Sequence, residues 1–298
     1  MDRFEQFRDA AVDRGIPEDE AVRFAEHLRF AVWTFPAEDG ERAAGRMGGL
    51  PLLPVGADWP GGDFPLPFIG SVDCATLPRA EGLDLPADGS LLFFLHHEED
   101  MEEHPSTDYA RVVHVPEGTQ TQEAAPPPGH DSETHFCESI PFLIPEQRIT
   151  AQVLPELPDW IVDRNVEFET DTVKQAFDEL KHLEQLCELV DELWPDGKNR
   201  HRYTLHLGGY CRNIGSSDDP HAQMSFDSVQ QQAASSGLSN DERWRLRSEE
   251  KQRLVDEWLP LAQFPTQSEV YYGCFLIRAE DLTAKDFDRM RSFTMFTE

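Results

Sequence analysis

The stretch GSLLFFLHHEED, residues 89–100, sets five apolar residues in succession, Leu91 to Leu95, between a glycine-serine turn and a run of histidines and acids. A strand with one face in water alternates apolar and polar residues, so an unbroken apolar run predicts a strand buried on both faces. We therefore read Ser90–His96 as a central strand. The next run, YARVVHV at 109–115, alternates in part and is expected nearer a sheet edge. Phe68–Val72, Gln147–Val153, Tyr203–Leu207 and Val270–Arg278 share the branched and aromatic composition of strands and are bounded by turn formers.

Upstream lies GGLPLLPVGADWP, residues 48–60, too rigid for a helix and too interrupted for an ordinary strand. Gly48 and Gly49 allow backbone angles closed to other residues, Pro51 and Pro54 fix an extended path, and Pro60 forces Trp59 into an extended conformation. A phosphate-binding glycine loop needs a lysine and a following helix start, which this stretch lacks, so its expected role is packing. The order of segments then repeats weakly. GGLPLLPVGADWP, PLPFIGSVD and GSLLFFLHHEED return as LGGYCRNIGSSDDP, WLPLAQFPTQSE and YYGCFLIRAEDL. The expected fold class is α+β: a mainly antiparallel sheet built from two weakly duplicated β units, with peripheral helices.

The helices read from periodicity and start signals. Residues 2–14 and 17–33 are expected to be helical, the second opening on Pro17 with Glu18, Asp19 and Glu20 and placing Phe24, Leu28 and Ala31 on one face. Val173, Phe177, Leu180, Leu183, Cys187, Val190 and Trp194 recur every three or four residues, which predicts one amphipathic helix over 171–194, stopped by Pro195 and Gly197. A third helix over 240–257 starts with Ser239 and Glu242 at capping-box spacing. Residues 116–136 read as a long exposed loop. The organisation expected is a helical segment at 1–36, a β-rich half at 37–165, and a helix with a second β-rich half at 166–298, together one compact unit.

The charge balance separates partners. Asp and Glu number 57 against 26 Lys and Arg, a net charge of −31. Such a surface repels phosphate backbones and anionic lipid, so neither nucleic acid nor membrane is an expected partner. Solubility alone accounts for acidity of this kind; a basic protein partner is the sharper alternative, with Glu102 and Glu103 in the acidic run after 96 as candidate contacts. The N-terminal residues lack the apolar core of a signal peptide, and no apolar run approaches the roughly 20 residues that span a bilayer. The five cysteines contain no CxxC pair, which suits a reducing cytoplasm.

Chemistry is thinly signalled. Six of the eleven histidines fall between 96 and 135. Imidazole, thiolate and carboxylate form the donor set zinc prefers, so His96, His135 and Cys137, completed by His97 or Glu98, are the candidate metal ligands; solvated histidines in an acidic loop are the plainer reading. No other cofactor is expected. His206 and Cys211 flank Gly208-Gly209, with Asp219 and His221 downstream, but no nucleophile elbow accompanies them. The leading functional reading is a cytoplasmic acidic binding protein of the immunity, inhibitor or accessory type, acting on a basic partner. The alternative is a metal-dependent or small-molecule-acting enzyme using the 96–137 and 206–221 loops.

The succession GGxPxxP…WP, PLPFIGSVD, LLFFL, LGGY, PLAQFP and FLIRAEDLTAKDFDRM resembles the YwqG-like bacterial family of unknown function, from about Met47 onward. Two features depart from its pattern: Cys211 follows Gly209-Tyr210 where proline is expected, and the 96–140 loop is enlarged. The resemblance implies an α+β fold with an extended antiparallel sheet and carries over no catalytic residue.

Overall fold

The computed structural model describes residues 2–96, 109–131, 134–137, 140–167, 169–198, 203–211, 219–233, 238–265 and 271–296. At 135–137, 140, 197–198, 233, 271–272 and 295–296 it describes the backbone alone.

Two helices open the chain, α1 (Arg3–Asp13) and α2 (Glu18–Ala25). Asp2 caps α1 by accepting from Phe4 N at 2.7 Å, and three acids occupy the first turn of α2, at the positive end of its dipole. The helix expected over 17–33 ends at Ala25. RFAVWTFP, Arg29–Pro36, is instead strand β1. Its aromatic and β-branched residues suit a pleated surface, and pairing on both edges outweighs the helical spacing of Phe24, Leu28 and Ala31.

The next strands are β2 (Gly45–Met47), β3 (Leu52–Pro54), β4 (Phe68–Asp73), β5 (Ser90–Leu95), β6 (Ala110–Val115) and β7 (Thr121–Glu123). They are followed by β8 (His135–Cys137), β9 (Ile140–Pro141), β10 (Gln147–Glu156), β11 (Leu205–Gly208), β12 (Trp258–Pro265), β13 (Tyr271–Arg278) and β14 (Arg291–Phe296). Ten of them form one antiparallel sheet in the order β14-β13-β12-β11-β1-β10-β2-β4-β5-β6. The fold is therefore α+β with a mainly antiparallel sheet. Outward from the central β1·β10 pair, one side runs β2, β4, β5, β6 and the other β11, β12, β13, β14, so the repeated segments occupy equivalent positions in the strand order. Each run passes through a Gly-Gly turn, at 48–49 and at 208–209, where all four φ values are positive, from 61° to 81°. Each also carries a register shift, between Phe68 and Gly70 and between Pro260 and Ala262.

Leu91 to Leu95 are at most 2% exposed, but β5 is not central: it lies second from the sheet edge, with β6 outermost. Its double-sided burial has two sources. Leu91, Phe93 and Leu95 face the main core, where the sheet curls its two ends together and the Phe93 ring meets Phe275 of β13 at 5.6 Å. Leu92 and Phe94 face the other way and are covered by Leu53, Leu66, Phe68 and Trp59. The proline-rich stretch at 48–60 is thus a cover over the outer face. Its Trp59 packs on Phe94 with ring centroids 6.0 Å apart and donates its indole N–H to Leu66 O at 2.9 Å. Within it Leu52–Pro54 does form a short strand, paired with Thr121–Glu123 from the segment expected to be loop throughout.

Beyond β10 come α3 (Asp159–Val162), α4 (Asp171–Glu179) and α5 (Leu183–Leu193). The single helix expected over 171–194 is broken at 180–182. There the buried Glu20 of α2 accepts the backbone N–H of His182 at 2.5 Å and pairs with its Nδ1 at 2.7 Å, so a tertiary carboxylate caps the start of α5. Leu186 is fully buried, whereas Glu184 is 71% exposed and faces Arg164 at 3.7 Å. Leu186→Ala is expected to cost about 2–5 kcal/mol in denaturant melts. Glu184→Ala should stay within about 0.5 kcal/mol of wild type, and equal effects would contradict the packing of α5. The hairpin α6 (Pro220–Ala233) and α7 (Asn240–Glu257) follows, then α8 (Ala279–Ala284). In the capping box of α7, Ser239 Oγ accepts from Glu242 N at 3.3 Å and Ser239 N donates to Glu242 Oε2 at 2.8 Å. Among the described residues no helix is long and apolar enough to cross a membrane.

Candidate functional site

The Gly208-Gly209 turn is fixed by a buried polar network. His206 on β11 is fully buried, with Nε2 2.6 Å from Oε1 of the buried Glu156 at the end of β10. Gln263 on β12 places its Nε2 3.0 Å from His206 Nδ1 and 2.9 Å from Tyr210 O. The Tyr210 carbonyl only accepts, so the amide nitrogen must face it; that nitrogen also donates to Nδ1, which therefore carries no proton. The second carboxylate oxygen accepts Tyr210 N at 2.7 Å. A Cβ on Gly209 would run into that oxygen, so glycine is required there on steric as well as conformational grounds. The network positions the chain leaving β11.

That chain delivers Tyr210 and Cys211 to a cleft of about 530 Å³, within the range of small-ligand sites. One wall comes from the α2–β1 junction and the α3–α4 region, the other from α6 and α7. Three aromatic residues line it: Trp160, Tyr210 and the exposed Trp244. Five carboxylates do so as well: Glu26, Asp159, Glu169, Asp219 and Asp256. The cations of the cleft are engaged. Arg29 lies 4.2 Å from the Tyr210 ring centre and donates to Gly209 O and Val255 O, while Lys251 Nζ is 2.7 Å from Asp219 Oδ2. Arg247 lies between Trp244 and Phe226, at 5.4 and 5.3 Å. Burial lowers the His27 pKa, so this ring, edge-on to Trp160, is uncharged at neutral pH. Burial also works against charge on Lys251, but Asp219, Glu169 and Asp159 outweigh it and raise its pKa, keeping it cationic.

Cys211, Asp219 and His221, which the sequence places near one another, do meet in this cleft. They do not form a nucleophilic triad. Asp219 is the N-cap of α6: Oδ1 accepts His221 N at 2.9 Å and Ala222 N at 3.1 Å, and it lies 3.8 Å from His221 Nδ1, outside hydrogen-bond range. Burial, reinforced by the neighbouring Cys274, raises the Cys211 pKa well above the usual thiol value and keeps it protonated at neutral pH. His206 belongs to the network behind.

The candidate metal set is a different region. His96 directly follows β5, its ring 5.0 Å from that of Tyr109. His135 and Cys137 stand on β8, paired with β9 outside the large sheet, where only the backbone is described. His97, Glu98, Glu102 and Glu103 lie outside the described residues. Among the described residues no group of three His, Cys, Asp or Glu side chains is placed to hold a metal ion. Sequence reading missed the cleft itself, because its carboxylates and rings come from four separated segments with no shared local motif.

Comparison with protein families matches residues 45–294 to a domain of unknown function, DUF1963, and the chain belongs to that family. Comparison with curated proteins finds no match.

Proposed function

We propose that this DUF1963 protein is a binding protein whose cleft receives a cationic group, a Lys or Arg side chain of a basic protein partner. The observation that carries the reading is the joint lining of one cleft by carboxylates and aromatic rings. Glu26, Glu169 and Asp256 form no salt bridge among the described residues, and they stand beside Trp160, Tyr210 and Trp244. Carboxylates supply charge-assisted hydrogen bonds to a guanidinium or ammonium group, and ring faces add cation–π attraction. The net charge of −31 acts at longer range: it draws a basic partner in, and the acidic Glu102-Glu103 pair adds to that field. The resemblance to YwqG-like proteins is compatible with this reading and supplies no reacting residue. A cytoplasmic setting suits the free thiols.

Calorimetric titration with an arginine-rich peptide tests the proposal, with a glutamate-rich peptide of equal length as control. The arginine peptide is expected to bind and to weaken as salt is raised; the glutamate peptide should not bind. Glu169→Gln combined with Asp256→Asn should weaken binding by roughly tenfold or more, the scale of losing one or two charge-assisted bonds. Absence of binding at low salt, or equal affinity in the double variant, would overturn the assignment.

A further inference from the structure

We propose that Cys211 and Cys274 form a reversible redox pair that closes to a disulfide when a small oxidant enters the cleft. Sheet register brings the two together. Cys274 on β13 stands directly opposite Gln263 of β12, and Gln263 reaches across to the carbonyl of Tyr210, the residue before Cys211. Both thiols lie in one apolar cluster with Met224, Leu254, Trp258 and Leu276, and Cys274 is close enough to add to the effect of burial in raising the Cys211 pKa. Their exposures differ only slightly, 8% and 1%, but Cys211 lines the cleft and Cys274 lies behind it, so an entering reagent meets Cys211 first.

His221 provides the proton acceptor. Its Nε2 is 3.0 Å from Trp258 O and donates to that carbonyl, so in the neutral ring Nδ1 is the nitrogen left to take the Cys211 proton. Burial works against charge on the ring, but Cys211 and Asp219 beside it outweigh that and raise its basicity. With a low-molecular-weight disulfide as oxidant, Cys211 loses its proton to His221, attacks one sulfur and expels the first thiolate, giving a mixed disulfide. Cys274 then attacks the Cys211 sulfur and expels the second. Two protein thiols lose two electrons and two protons, and the oxidant leaves as two thiols. Dithiothreitol runs the exchange backwards. Two thiols form no bond with one another without an oxidant, so the pair closes when one enters the cleft rather than standing as a permanent cross-link.

The test treats the folded wild-type protein with cystamine, a dicationic disulfide that a carboxylate-lined cleft does not repel, alkylates the remaining thiols and maps the peptides. A Cys211–Cys274-linked peptide is expected, lost on dithiothreitol treatment, while the same reaction in urea should scatter linkages among the cysteines. Cys274→Ser should stop at the cysteamine adduct on Cys211, and His221→Asn should slow linkage several-fold. No Cys211–Cys274 linkage in the folded protein, or linkage of Cys211 to another cysteine in its place, would overturn the pair; an unchanged rate in His221→Asn would remove the role given to His221. None of these readouts depends on what the cleft binds.

Discussion

Phe93→Asp is expected to leave no soluble, cooperatively folding protein. Phe93 is fully buried in β5, and its ring packs on Phe275 from the opposite end of the sheet. The substitution removes an aromatic contact worth about 3–5 kcal/mol and places a carboxylate where nothing can solvate it, for several kcal/mol more. The sum rivals the whole stability of a typical domain, about 5–15 kcal/mol. Leu52→Asp is the control: Leu52 is 47% exposed on the short strand β3 and should tolerate a charge. Soluble yield and thermal melts followed by circular dichroism decide it. A Phe93→Asp protein melting cooperatively near wild type would mean that the two ends of the sheet do not meet at β5.

Glu156→Ala is expected to destabilise by about 3–5 kcal/mol, the scale for removing one partner of a buried polar pair. The loss strands the buried Tyr210 N–H, whose acceptor oxygen lies at 2.7 Å, and removes the carboxylate that stands 2.6 Å from the buried His206 Nε2. Glu156→Gln should cost less, because its amide oxygen still accepts from Tyr210 N–H. Urea titration of the two variants gives the ordering. Equal stability of Glu156→Ala and wild type would show that the Gly208-Gly209 turn is held by its backbone alone.

How much of this was legible in advance follows from the range of the interactions concerned. LLFFL announced a strand buried on both faces because burial is written into five consecutive side chains. Its place beside the edge was not legible, since strand order is set by pairings such as Leu92 with Val113 and Leu92 with Ser71. The capping box at Ser239 was visible because its partners lie three residues apart. Residues 29–33 read as helix in the sequence: Phe24, Leu28 and Ala31 satisfy a helical period, and only pairing with β10 and β11 reveals the strand. The break after α4 was equally hidden, because the group that caps α5 is Glu20. Of the cleft, Cys211, Asp219 and His221 could be singled out from their proximity in sequence. Trp160, Glu169 and Trp244 could not, because nothing local ties residues from α3, the α3–α4 connection and α7 to one surface.

Hydrogen exchange with and without the bound arginine-rich peptide tests the central claim most directly, because it reports where a cationic ligand sits. Protection is expected to concentrate in the cleft-forming segments 158–176, 219–222 and 244–256, and to fall away in the Glu169→Gln, Asp256→Asn double variant. Protection confined to the acidic run around Glu102 and Glu103, with the cleft segments unchanged, would contradict the account.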